Sequence, residues 1–505
     1  MKSISKKHNG TPRLFRRLMV ASAVTMLSAC VSYNGIQSQA QLKTIGDQAN
    51  SGIFANQHGQ WPTADWAQQI GGSDLQALIQ AGLRDNPSLQ AAAARIQAAQ
   101  AATGITKANT LPSVNGSYST TYQRFTEHGL VPPPLAGTYD TDNQLALSAS
   151  YELDFWGKHR TEMRAALSQE KIAEAEQQSA RLMLGNAIAR SWVQLVRDYQ
   201  QLAISEQQLA IREKLDVLTS QRVKAGLDTK SEIQQSLIQI SNLKNEISNW
   251  KENIVLTRNQ LAALIGADPE RGQQIPVPQY QPPGDITAPA SLPLELISRR
   301  PDITAARWRV EAGQSDIELS KIQFYPNVNI SGFIGLSSLG LDHLLQSGSM
   351  INGIGPAIHL PVFEGGRLRS ELKTRVAGYD VAVATYNQSL TDALHEVADQ
   401  IQIIQACNEQ SKQQQQAEQA ARTALKLAQQ RQQAGTANVL PVLMAESALL
   451  SQQKLSLDIH LRHIDSQINL IKALGGGYDS HTVPDSSTSR LTTKNHSASN
   501  IPEVA

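Results

Sequence analysis

His395-Glu396 opens as a zinc-protease helix does, a pattern that needs a second histidine four residues on so that two imidazoles meet one metal. Position 399 is Asp399. The pair therefore reads as surface residues on a helix. His460 and His463 could share a helix face as ligands, yet no motif ties an acid or a thiolate to them. Met163, Met183, Met350 and Met444 are scattered, which argues against a thioether-lined path for copper or silver. Cys407 stands beside Ile403, Ile404 and Ala406 in a helical run and reads as a small buried residue, not a nucleophile. No catalytic residue, metal-ligand set or cofactor motif emerges, so the chain does not read as an enzyme.

The cysteine whose surroundings do specify chemistry is Cys30. Lys2, Lys6, Lys7, Arg13, Arg16 and Arg17 precede an apolar run over 18–27, too short to span a bilayer and shaped like a secretory signal peptide. It closes on Leu27-Ser28-Ala29-Cys30, which resembles a bacterial lipobox. Residues 1–29 are then removed, and Cys30 carries a covalent lipid such as palmitate as the mature first residue. Val31 and Ser32 follow, with no aspartate to retain the protein in the inner membrane, so the outer membrane is the expected address. With Cys30 acylated, Cys407 is alone and forms no intrachain disulfide.

A net charge of +1 and a charged fraction of 18% leave no electrostatic footprint for nucleic acid. No mature segment has the uninterrupted apolar length of a membrane helix. Crossing a bilayer would require a closed barrel, the other structure whose backbone is satisfied in lipid.

The elements that must carry these residues come in duplicate. Gln221-Arg222-Val223-Lys224-Ala225-Gly226 recurs in altered form as Gln430-Arg431-Gln432-Gln433-Ala434-Gly435. Asn86-Pro87-Ser88-Leu89 answers Arg300-Pro301-Asp302-Ile303, Leu111-Pro112-Ser113-Val114 answers Tyr325-Pro326-Asn327-Val328, and Ala263-Leu264-Ile265-Gly266 answers Lys472-Ala473-Leu474-Gly475. Each Arg…Gly stretch ends a long helical run and reads as the tip of a helical hairpin.

Within each repeat the period changes once from helical to two. Val114, Tyr118 and Tyr122 share a face, as do Leu145, Leu147, Ala149 and Tyr151; in the second copy Val328, Ile330, Ile334 and Leu336 are followed by Ile354, Ile358, Leu360 and Val362. Strands are expected over about 112–123, 143–155, 326–336 and 350–363. Soluble half-buried hairpins would show the same alternation. Four strands are too few for a membrane barrel, for which about eight is the usual minimum, so chains would have to share one.

The proline-free stretch 158–222 predicts a helix roughly 100 Å long at about 1.5 Å per residue. Ile188, Leu195, Leu202 and Leu209 recur at heptad spacing, with Trp192 and Tyr199 beside them, as in a coiled coil. The second copy is equally proline-free, with small Ala417, Ala420, Ala421, Ala424 and Ala428 and the polar run 413–416. Return helices over about 231–265 and 440–474 are half as long, and helices near 88–109 and 303–323 have the length to stack end to end on them. The expected organisation is a signal peptide over 1–29, a lipid-anchored extended arm over 30–72, a first repeat over 73–267 with its tip at 222–230, a Pro-rich connector over 268–290, a second repeat over 291–477 with its tip at 431–439, and a disordered Ser/Thr-rich tail over 478–505.

At this point the chain resembles a family, the TolC-type outer membrane factors, and within it the lipid-anchored channels of tripartite efflux systems. The resemblance is carried by Leu296-Ile297-Ser298-Arg299-Arg300-Pro301-Asp302-Ile303, Phe324-Tyr325-Pro326, Leu360-Pro361-Val362-Phe363-Glu364-Gly365-Gly366-Arg367, Ala473-Leu474-Gly475-Gly476-Gly477 and Tyr151-Glu152-Leu153-Asp154-Phe155-Trp156-Gly157-Lys158. It implies a mainly α fold with a membrane β-barrel: a homotrimer whose twelve strands form one barrel and whose helices form a periplasmic α-barrel tunnel. It implies as partners a periplasmic adaptor (membrane fusion protein), an inner-membrane RND or MFS pump, and outer membrane lipids. The adaptor would meet the tips, at Arg222, Gly226, Arg431 and Gly435. The gate would lie just past the second tip; family members commonly close it with an aspartate, but the matching position in Val439-Leu440-Pro441-Val442-Leu443-Met444 is Met444, which with Leu440 four residues before would make apolar rings. The function implied is a passive exit duct for small toxic compounds or drugs. A lipid-anchored periplasmic coiled-coil scaffold or adaptor is the alternative, and within the family a protein-secretion or metal-ion duct.

Overall fold

The computed structural model describes residues 32–43, 59–63, 65–279, 289, 296 and 298–479. The expected signal peptide, Cys30 and most of the Ser/Thr-rich tail lie outside the described residues. In chain order the elements are α1 (Trp66–Asp85), α2 (Pro87–Asn109), β1 (Ser113–Arg124), β2 (Tyr139–Glu152), α3 (Lys158–Lys224), α4 (Lys230–Leu264), α5 (Pro269–Gln273), α6 (Pro301–Ile322), β3 (Asn327–Leu339), β4 (Met350–His359), α7 (Arg367–Gln433) and α8 (Leu440–Ala473). α3 and α7 are each 67 residues long. Among the described residues no helix is long and apolar enough to cross a membrane.

The ends of these elements follow from local chemistry. Pro87 and Pro301 start α2 and α6, where the missing N–H costs nothing. At the first tip Gly226 takes φ +75° and at the second Gly435 takes +69°, the left-handed conformation that lets the next amide reach back: Leu227 N donates to Arg222 O and Thr436 N to Arg431 O. Thr229 and Glu232 then form a capping box on α4. α8 has no such box; Val439 offers no side-chain cap, Pro441 occupies the first turn, and Leu440 N donates to Asn438 Oδ1 at 3.1 Å.

Several boundaries differ from expectation. α1 begins at Trp66 rather than 73, because one helical turn precedes a break at Gly71 and Gly72 and its Trp66, Ala67 and Ile70 are buried. β2 begins at Tyr139 rather than 143, since Tyr139 to Asn143 pair with Arg124 to Thr120 on β1; it stops at Glu152, where Phe155 N turns back to Leu153 O. β3 runs on to Leu339, and β4 ends at His359, two residues before Pro361, which lacks the donor a ladder needs. The connector is not wholly extended: Asp268 caps the short α5.

The chain forms two compact units, and each sequence repeat contributes to both. One unit contains the chain up to Leu42, Ile96–Ile172 and Ala306–Tyr386; the other contains Lys43–Arg95, Ala173–Ala305 and the chain from Asn387 on. The first holds an antiparallel sheet in the order β1-β2-β3-β4. The core of the second is built on Ile188, Trp192 and Leu195 of α3 with Leu75 of α1, Leu261 of α4 and Ile468 of α8. Toward the tips the buried row of α3 changes from Ile188 and Leu195 to Ile211, which packs with Leu443 and Leu450 of α8, whereas Leu202 and Leu209 are half-buried. A near-straight helix drifts against a strict heptad by about 20° per repeat, which moves the seam to a new row.

Candidate functional sites: a two-faced sheet and two hairpin tips

The ladder registers place Tyr118, Leu145, Leu336 and Met350 in one row across all four strands, and Leu147 beside Ile334 in the next. Val114, Tyr122, Ile330, Ile354 and Ile358 extend this face, and its side chains are exposed, Tyr122 by 71% and Ile354 by 84%. Ser113, Asn115, Ser117, Ser119, Gln144, Ser148, Ser331 and Ser337 lie on the opposite face, which also carries Phe333 and Ile351. A sheet with one mainly apolar face and one hydroxyl-rich face is patterned for lipid on one side and water on the other. Aromatic rings stand at both ends of the sheet: Tyr122 stacks on Tyr139 (centroids 5.6 Å) on the apolar face near the β1–β2 loop, and Trp156 stacks on Tyr325 (4.7 Å) at the helix end, where Phe155 and Phe363 are also exposed. β1 and β4 are the terminal strands, each with one unpaired edge.

The residues just after Cys30 are fixed to the same unit. Arg369, in the first turn of α7, donates to Ser32 O. Tyr33 packs edge-on against Phe324 at 5.5 Å, Ile36 is buried with Leu368, Leu372 and Val376, and Ser38 Oγ donates to Asp380 Oδ1. Ser32, the first described residue, thus lies at the foot of the sheet.

The two tips match in backbone and differ in charge. Arg222 Nε and Nη2 donate to both oxygens of Asp228 at 2.6 and 2.9 Å, and this guanidinium holds the Asp228 carboxyl below its usual range. The place of Asp228 is taken at the second tip by Ala437, and Arg431 has no ion pair among the described residues. Past that tip Val442 and Leu443 are buried, whereas Met444 is 61% exposed and Leu440 half-buried. Leu440 and Met444 therefore lie on the face of α8 that its own chain does not cover.

A junction between helices also recurs, and its role was not read from the sequence. Asn86 Nδ2 donates to Leu264 O, the last carbonyl of α4, and Arg300 Nη1 donates to Ala473 O, the last carbonyl of α8. Opposite them Gly266 (φ +74°) and Gly475 (φ +90°) approach the backbone so closely that a Cβ would fall 2.6 Å from Asp85 O and 1.8 Å from Arg299 O. Arg300 also binds both oxygens of Asp302 (2.6 and 3.1 Å) and Glu396 Oε2 at 2.8 Å. Glu396 is thus more than part of a surface pair: His395 is exposed, but Glu396 completes the shell of a buried arginine. The duplicated Asn86-Pro87 and Arg300-Pro301 were visible; the long-range carbonyls they cap were not. Cys407 is buried and its Sγ accepts from Arg462 Nε at 3.3 Å.

Two-faced strands with free edges, carried on duplicated helical hairpins, define a channel subunit of the outer-membrane type. The family model described as "Outer membrane efflux protein" matches residues 78–267 and again 292–476, and the chain belongs to that family. It is 29% identical over 486 residues, 93% of this chain and 99% of the relative, to the multidrug resistance outer membrane protein MdtP of Escherichia coli K12. It is 31% identical over 370 residues, 72% of this chain and 69% of the relative, to the fusaric acid resistance protein FusA of Burkholderia cepacia. The crystal structure of the outer membrane protein VceC of Vibrio cholerae matches at TM-score 0.74 and 37% identity, covering 83% of this chain and 100% of that one. The chain is an efflux channel protein of the outer membrane with a TolC-type fold.

Proposed function

We propose that three copies of this chain join their four-stranded sheets, β4 of one to β1 of the next, into a twelve-stranded barrel that serves as the exit duct of a tripartite efflux system. The observation that carries this is the sheet itself: an exposed apolar face, a polar face and two unpaired edges, in a chain without a membrane-spanning helix among its described residues. Open edges do not persist in lipid, and four strands do not close. Exposed Ala417, Ala420 and Ala424 on α7 suit close approach of a neighbouring chain's helix. The cargo is small drugs or toxic compounds, in keeping with the names of MdtP and FusA.

A lipid on Cys30 would enter the membrane at the foot of the sheet, since Ser32 is tied to the start of α7. Cys30→Ser is expected to abolish labelling by radioactive palmitate and to leave an uncleaved or mislocalised precursor. The tips at Arg222, Gly226, Arg431 and Gly435 dock a periplasmic adaptor, which joins the duct to an inner-membrane RND or MFS pump. Leu440 and Met444 ring the axis as an apolar gate.

Purified protein tests the central reading. SDS-resistant, heat-modifiable trimers that conduct ions in planar bilayers are expected. A folded monomer without conductance would favour the periplasmic scaffold.

A further inference from the structure

At the foot of the sheet, within the first unit, lies a cavity of about 490 Å³, a size that suits a small organic ligand. It opens on the polar face: its strand residues Glu152, Asn327 and His359 all belong to that side by register, Asn327 opposite His359 and Glu152 opposite Asn329. In a duct this face lines the passage.

Its wall carries more acid than base. Glu152, Asp154, Glu162, Asp316, Glu364 and Glu371 face three cationic side chains. Lys158 binds Glu152 at 2.9 Å, Arg367 binds Glu364 and Glu371 at 2.8 and 3.1 Å, and Arg375 reaches Asp316 only at 3.6 Å. Asp154 is shared with Arg160 from outside the lining, and Glu162 has the His159 ring at 3.4 Å. Among the described residues no three His, Cys, Asp or Glu side chains converge closely enough to hold a metal ion. The acids are spread around the wall, which suits a larger cation.

A second observation is independent of charge. Ser320 on α6 lines the cavity, is only 3% exposed, and its Oγ has no hydrogen-bond partner; Asn327 Oδ1, also on the wall, has none either. An unpaired buried hydroxyl or carbonyl costs about 1–3 kcal/mol unless something meets it. Both can accept, as can the carboxylates, so a fitting occupant brings N–H donors. The Trp156 ring, stacked on Tyr325 and half exposed, adds a flat apolar surface with an electron-rich face.

We propose that this cavity is a transit site for protonated amines with a flat apolar body, which it collects at the entrance to the sheet-lined part of the passage. The proposal rests on the duct reading. Its test uses the purified full-length assembled protein and proflavine, a fluorescent aromatic cation, followed by anisotropy at low and high salt, with the anionic dye 8-anilinonaphthalene-1-sulfonate as comparison. Saturable proflavine binding is expected at one site per chain, weakened at least tenfold in the Asp316→Asn, Glu162→Gln double variant and about threefold in Ser320→Ala, which deletes a hydroxyl and leaves every ion pair in place. Equal affinity in these variants, or equal binding of the anionic dye at the same site, would overturn it. Bilayer conductance of the same preparation separates the two readings. Conductance without saturable proflavine binding overturns the site and leaves the duct; proflavine binding sensitive to these side chains without conductance overturns the duct and leaves a cation site.

Discussion

Arg300 shows most clearly how one side chain ties distant segments together, since it caps α8 through Ala473 O while binding Asp302 and Glu396. Burial alone would raise the Asp302 carboxyl, but the hydrogen bonds and charge of Arg300 outweigh it and hold the pKa below its usual value. A carboxyl with a lowered folded-state pKa stabilises the fold above its unfolded value, and that contribution is lost as pH falls through the folded one. Arg300→Met is expected to cost about 2 kcal/mol near neutral pH, less than the roughly 3–5 kcal/mol of a fully buried broken pair because both acids are 41% exposed. Thermal unfolding should show this deficit above about pH 4 and show it shrinking below. The Arg300-Pro301-Asp302 motif was plain in the sequence, with a helix expected just after it. Its purpose was not, because Glu396 and Ala473 reach Arg300 only in the fold.

The elements were legible wherever a strong period or a punctuating residue marked them. Gly226 and Gly435 ended the long helices as expected, and the short helices expected near 88 and 303 begin at Pro87 and Pro301. Alternation found the four strands but missed their ends: Tyr139 to Asp142 join β2 through the ladder, and the apolar spacing of Leu360 and Val362 continued past the last strand pair. The two tips, alike in sequence pattern, differ in ways that would matter for the proposed docking. Arg222 is neutralised by Asp228, so Arg431 presents the freer charge. Arg222→Glu with Arg431→Glu should leave trimer and barrel intact and abolish efflux in a drug-sensitive strain, because reversed charge repels the adaptor surface. Arg431→Glu alone should account for most of the loss; a loss of trimers along with function would reduce the tips to helix caps. α8 also starts without the capping box of α4, a difference of about 1 kcal/mol that leaves its first turn, which carries Leu440, the more easily displaced. Leu440→Ala with Met444→Ala should raise bilayer conductance and admit large antibiotics, while closure of the unmodified protein should change little between pH 5 and 8. Unchanged conductance in a correctly assembled double variant would remove both residues from the gate.

For the whole molecule the sequence revealed the duplication, and the count of four strands meant that a membrane barrel would have to be shared between chains. Which strands pair, and that the apolar positions collect mainly on one face, with Phe333, Leu339 and Ile351 on the other, required the register. The central claim is that the Leu147 face meets lipid and the Ser148 face lines a water-filled passage. It is tested most directly by the reversal potential across a planar bilayer under a salt gradient, measured for Ser148→Lys and Leu147→Lys. The account predicts that Ser148→Lys assembles, conducts and shifts its selectivity toward anions. Leu147→Lys, which puts a charge into hydrocarbon at a cost of about 2–4 kcal/mol in each chain if it lies near the bilayer midplane, should yield few SDS-resistant trimers and little conductance. A Leu147→Lys protein that assembles and turns anion-selective, with Ser148→Lys failing to insert, would contradict it.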